Sequence, residues 1–83
     1  MKYSLRIEVG LKPGHSDPEG ETTADLLKEL GFSVEKCTVS KVYNLIVEAK
    51  TQKEAQDQAE EMCKKLLANP TKDDYEISTE AKR

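Results

Sequence analysis

Tryptophan is absent, histidine and phenylalanine occur once each, and no apolar run extends beyond a few residues. Each scarcity removes a class of function. One histidine, His15, excludes any relay that needs two imidazoles, and its polar loop suits a solvated side chain. With Cys37 and Cys63 far apart, the chain falls short of the three or four converging ligands that zinc requires. Without a run near twenty apolar residues there is no membrane-spanning helix to expect, and no secretory leader is visible. The cysteines form no CxxC pair, and a reduced, cytoplasmic protein is expected. The glycines make no phosphate loop: Gly10, Gly14 and Gly20 fit neither GxxxxGK[ST] nor a GxGxxG that opens a helix. Charge of neither sign dominates, since 13 basic against 16 acidic residues give a net charge of −3. General attraction to nucleic acid or to anionic membranes does not follow. The four aromatics, Tyr3, Phe32, Tyr43 and Tyr75, lack the basic surroundings of an RNA-stacking sheet.

What is present is periodicity. The chain has 83 residues, 36% hydrophobic and 35% charged, too apolar and too regular for disorder. It reads as one domain, residues 1–83. A chain this short buries only about 60% of its unfolded surface, and oligomerisation is a common way to gain more. Tyr3, Leu5, Ile7, Val9 and Leu11 alternate with polar residues, the period of a half-buried strand. Pro13-Gly14 is turn chemistry. Asp17 stands at a helix N-cap, with Pro18 at the first helical position and Glu19 and Glu21 in the first turn. That helix runs to about Leu30, where Gly31 stops it and Phe32 can fold back onto Leu27.

Further strands are expected at Val34–Val39 and at Val42–Ala49. The latter places Tyr43, Leu45, Val47 and Ala49 on one face and Val42 and Ile46 on the other. Thr51 and Glu54 form a capping box. Ala55, Ala59, Met62, Cys63, Leu66 and Leu67 follow as an amphipathic stripe, until Asn69-Pro70 ends the helix. Tyr75, Ile77 and Thr79 suggest a short last strand, and residues 80–83 a frayed tail. The order β-α-β-β-α-β predicts an α+β fold: a four-stranded antiparallel sheet with two helices on one face, the ferredoxin-like arrangement.

No catalytic, cofactor-binding or metal-binding cluster emerges from this pattern. Cys63 on the apolar stripe and Cys37 in a strand read as small core hydrophobes. Asp73-Asp74 and Glu60-Glu61 are adjacent acids that point apart and read as solvated charge. Val42, Ile46 and Ile77 are candidates for the face that the helices leave open. Burying each is worth about 1.5–3 kcal/mol, which favours joining two copies through their sheets.

The order of certain residues adds more. Leu11-Lys12-Pro13-Gly14, Asp17-Pro18-x-Gly20, Lys41-x-Tyr43-x-Leu45, Met62-Cys63-x-Lys65-Leu66-Leu67-Ala68-Asn69-Pro70 and Asp74-Tyr75 closely resemble the PurS family over about residues 2–78. Two positions depart from its pattern: Ser40 replaces a frequent glycine, and Thr71-Lys72 replace apolar residues. PurS is the small subunit of phosphoribosylformylglycinamidine synthase, which makes formylglycinamidine ribonucleotide from its amide precursor with ATP and glutamine in purine synthesis. The resemblance implies a non-catalytic subunit, a homodimer or homotetramer, that assembles a synthetase subunit with a glutaminase so that ammonia passes between them. Candidates for partner contact are Lys12, Pro13, Gly14, Asp17, Pro18, Lys41, Asn69, Pro70 and Tyr75. Turn-building alone also accounts for Pro13, Gly14, Asp17 and Pro18. The alternative is a stand-alone module that binds a small metabolite at a dimer interface, as ACT-like domains of similar topology do.

Overall fold

Tyr3, Leu5, Ile7 and Val9 are all buried on one side of strand β1 (Lys2–Leu11). The computed structural model describes residues 1–82, and in it β1 is the centre of a three-stranded antiparallel sheet. Strand β2 (Lys41–Glu48) lies on one side and β3 (Asp73–Lys82) on the other. Register decides which side chains share a face. Ile7 stands opposite Tyr43 and Ile77, Leu5 opposite Leu45 and Thr79, and Val9 opposite Tyr75. Directly paired residues project to the same side of a sheet, so this row faces the helix layer. Arg6 stands opposite Asn44 and Ser78, Ser4 opposite Ile46 and Glu80, and Glu8 opposite Val42 and Glu76. That face is open and mixed in polarity.

Helix α2 (Gln52–Met62) starts where Thr51 accepts a hydrogen bond from the Glu54 amide at 3.1 Å. Ala55 and Ala59 are fully buried beneath it. Their small side chains let the α2 backbone lie close to β1 and β3, the strands it covers. The helix then widens into a π-helical segment, Cys63–Leu67, marked by the Ala68 amide donating to the Cys63 carbonyl at 3.0 Å. The core joins the β1 row to Ala49, Ala55, Ala59, Cys63 and Ala68, with half-buried Tyr43, Leu45, Val47, Met62, Leu67, Tyr75 and Ile77 around it.

Helix α1 (Pro18–Glu29) behaves differently. It makes no substantial contact with any strand or with α2. The Cα radius of gyration is 16.3 Å, whereas a compact chain of this length has about 12 Å. Ten-residue strands account for about 33 Å and a twelve-residue helix for about 18 Å. Together these match the longest extent of 51 Å. α1 therefore prolongs the sheet as an arm and does not cover it.

Several expectations need correction. The sheet has three strands, not four, because Val34–Val39 pairs with none of them. Val34, Cys37 and Val39 are half-buried, a spacing that breaks the alternation of a strand. Among the described residues α2 is the helix that covers the sheet, so the ferredoxin-like layer of two helices is not formed within them. Residues 80–82 are no frayed tail: β3 runs to Lys82 because Ala81 and Lys82 pair with Tyr3 and Lys2. Arg83 lies outside the described residues. Ile77 faces the helix layer with Ile7, not the open face, whereas Val42 and Ile46 lie on the open face. Leu66 is no core residue, because the wide π turn slips the helical phase and leaves it 83% exposed.

Candidate interaction surface

The end of the sheet where β1 finishes and β2 and β3 begin is held by local hydrogen bonds. Beyond β1, the Lys12 amide donates to the Lys72 carbonyl at 2.7 Å, and the Lys12 ammonium meets the Asp74 carboxylate at 2.6 Å. Pro13 and Gly14 turn the chain, Gly14 with φ +88°, a region that suits glycine. The 69–73 loop folds on itself. Asn69 accepts from the Thr71 amide through its side chain and from the Lys72 and Asp73 amides through its carbonyl, while its own amide donates to Asp73 Oδ2.

Asp17 does more than cap. One carboxylate oxygen accepts from the Gly20 amide at 2.9 Å, and the other from the Val39 amide at 2.8 Å. These two amides hold its carboxyl below the usual carboxylate range. Gly20 is buried against the Cys37 carbonyl. The arm is thus a clamped pair, α1 and the chain returning beside it. At its far end the Gly31 amide donates to the Lys28 carbonyl and the Phe32 amide to the Leu27 carbonyl, with Gly31 at φ +97°. This is a Schellman stop, the helix end expected from Gly31. The Phe32 ring stays 60% exposed.

Two of the clefts at this end gather the candidate residues. One, of about 370 Å³, is bordered by Asp17, Pro18, Lys41 and Lys72 together with His15 and Ser40. The other, of about 410 Å³, is bordered by Lys12, Pro70, Asp74 and Tyr75. Of the sequence-derived contact candidates, Asp17, Pro18 and Lys41 come together in the first, and Lys12, Pro70 and Tyr75 in the second. Pro13, Gly14 and Asn69 border neither; they shape the loops between. The Tyr75 hydroxyl donates to Glu60 on α2 at 2.7 Å, and this bond raises the phenol pKa.

Sequence reading took Glu60 and Asp74 as solvated charge, noted Ser40 only as a departure from the family pattern, and did not single out Glu8 as a site residue. Ser40 donates to Glu8 at 2.7 Å and Arg6 at 3.3 Å, and both keep the Glu8 carboxyl below the usual range. Their partners are distant in sequence, except for Arg6, and no local signal marks them. Cys63 is fully buried, which pushes its thiol pKa up, with Glu60 adding to the effect. A thiol of that kind is a poor nucleophile. No group of three or more His, Cys, Asp or Glu among the described residues could hold a metal ion.

Among the described residues, large apolar side chains are exposed in four places: Met1 ahead of β1, Leu26, Leu30 and Phe32 on the arm, Val42 and Ile46 on the open face, and Leu66 beside the π segment. Large apolar side chains left in water are candidates for burial against another surface. These features define a small α+β module with unpartnered apolar surfaces, the class of subunit that works inside a larger assembly. The family model for PurS, phosphoribosylformylglycinamidine (FGAM) synthase, matches residues 4–81. The chain belongs to the PurS family. Over 72 residues it is 44% identical to the phosphoribosylformylglycinamidine synthase subunit PurS of Archaeoglobus fulgidus, covering 86% of this chain and 90% of that one. Its fold matches Methanocaldococcus jannaschii PurS, one of the subunits of formylglycinamide ribonucleotide amidotransferase, with TM-score 0.88 and 36% identity over 98% and 99% of the two chains. It also matches a chain in the structure of PurLQS from Thermotoga maritima, with TM-score 0.88 and 31% identity over 95% and 98%.

Proposed function

We propose that this chain is the non-catalytic small subunit of phosphoribosylformylglycinamidine synthase in purine biosynthesis. It acts as a homodimer that bridges the synthetase and glutaminase subunits so that ammonia passes from one to the other. The observation that carries this reading is the near-complete overlay on a chain of the PurLQS assembly. The self-satisfied loops at one end of the sheet and the bare apolar patches support it, since both suit surface recognition. A cytoplasmic location follows from the pathway, and among the described residues no helix is long and apolar enough to cross a membrane.

Mixing the chain with its synthetase and glutaminase subunits, in the presence of glutamine and nucleotide, tests the reading directly. Co-elution of the three and a rise in glutamine-dependent activity on adding this chain are expected. If the two larger subunits reach full glutamine-dependent activity without it, the reading fails.

A further inference from the structure

The outer edge of a sheet is a row of unpaired amides and carbonyls that another strand can join. β3 forms one such edge, with β1 on its inner side. The Lys12 amide donates to the Lys72 carbonyl at 2.7 Å, one step beyond the Leu11–Asp73 pair. Opposite residues in an antiparallel ladder alternate between bonded and unbonded pairs. Counted from Lys12 and Lys72, the even-numbered residues of β3 bond to β1. Asp73, Tyr75, Ile77, Thr79 and Ala81 therefore turn their backbone groups outward. The Ala49 amide, which donates to the Met1 carbonyl at 3.0 Å, gives the same parity from the β2 side. β3 has ten residues with no proline or glycine, and Tyr75, Ile77 and Thr79 favour the extended form. Left bare, such a strand is a template for more strands.

α2 reaches this edge with three side chains spaced four residues apart. Gln52 Nε2 donates to the outward Thr79 carbonyl at 3.2 Å. The Thr79 hydroxyl donates to Gln56 Oε1 at 2.7 Å, and the Tyr75 hydroxyl to Glu60 Oε2 at 2.7 Å. Members of a four-residue series lie about 40° apart around a helix, so all three share one flank. Seating the helix does not require them, because Ala55, Ala59 and Cys63 are fully buried on the neighbouring flank. At the start of the strand the outward Asp73 amide is also taken, by the Asn69 carbonyl at 2.8 Å. Between these two occupied groups stand only Tyr75 and Ile77.

We infer that Gln52, Gln56 and Glu60 form an edge lock, which ties α2 along β3 and leaves its outer edge too short to accept another strand. Association of the chain is then confined to its other surfaces.

The test is the full chain carrying Gln52→Ala, Gln56→Ala and Tyr75→Phe together. Alanine is the strongest helix former, so α2 is expected to persist. Sedimentation over a concentration series should show assemblies larger than those of the unaltered chain, at about tenfold lower concentration, the scale of one or two net hydrogen bonds. In those assemblies the outward Tyr75, Ile77 and Thr79 amides should gain protection from hydrogen exchange. Gln58→Ala removes the bond from Gln58 Nε2 to the Glu48 carbonyl on β2, at 3.3 Å, and should leave those three amides unprotected. Unaltered association of the triple variant overturns the lock. So do larger assemblies in which the three amides exchange as before, since growth then uses another surface. Larger assemblies with faster exchange at Leu5 and Ile7 overturn it too, because they arise from a loosened core.

Discussion

The two halves of this molecule solve the burial problem in different ways. The sheet and α2 bury a row of four large side chains, Tyr3, Leu5, Ile7 and Val9, against alanines that bring the helix close. The arm buries little beyond Gly20 and Ala24, and its order rests on one carboxylate and a glycine fit. One half is a core; the other is a shaped projection awaiting a surface. Small chains have too little interior for both halves to be self-sufficient.

The comparison breaks most visibly under core truncation. Ile7 is completely buried, so Ile7→Ala should destabilise the fold by about 2–5 kcal/mol in urea unfolding. A loss below that range would mean that the sheet and α2 are not the stable half. Gly20→Ala probes the arm, because a Cβ there would run into the Cys37 carbonyl and come 2.8 Å from Asp17 Oδ2. Its expected cost is about 1–3 kcal/mol. Amide exchange should speed up at Val39 and remain slow at Leu5 and Ile7. Uniform acceleration would show one cooperative unit instead of two. Thr51→Ala removes the α2 cap and should lower stability by about 1 kcal/mol, read as a shift in the unfolding midpoint.

Two smaller effects depend on pH. Asp17 has a depressed pKa in the folded arm. Its contribution is complete above the unfolded value of about 3.9 and is lost as pH falls through the lower folded value. The Gly20 and Val39 amide resonances should move together at that lower midpoint, while the Ile7 amide stays put. Tyr75 is the opposite case. Its folded pKa is raised, so the stability it adds is present below the unfolded value of about 10 and is lost as pH rises through the folded one. Ultraviolet titration should show a late-ionising tyrosine that is lost in Tyr75→Phe.

Much of the chain was legible where its signals are local. Period two in β1, the Thr51 cap and the Asp17-Pro18 start each depend on neighbours within four residues. The failures were long-range. Val34–Val39 has strand-like composition but finds no partner, and its traced hydrogen bond to Asp17 crosses 22 positions. Residues 80–82 look like a polar tail, yet β1 begins at Lys2 and leaves edge groups that pair with them. Ile77 went to the wrong face because register, not composition, decides which side a strand residue takes. At the candidate surface, Lys12, Asp17 and Tyr75 were singled out from the sequence, whereas Asp74 and Glu60 read only as solvated charge and their bonds to Lys12 and Tyr75 were not foreseen.

The widened turn at Cys63–Leu67 also bears on insertions and deletions. A π turn holds one residue more than an α turn over the same stretch, which gives the chain slack where α2 ends. Excising one residue there converts the bulge to regular helix and leaves Ala55 and Ala59 seated. The same excision one turn earlier would swing the rest of α2 through about 100° and carry Cys63 off the sheet. Length variation among related chains should therefore collect at this turn and spare the helix before it.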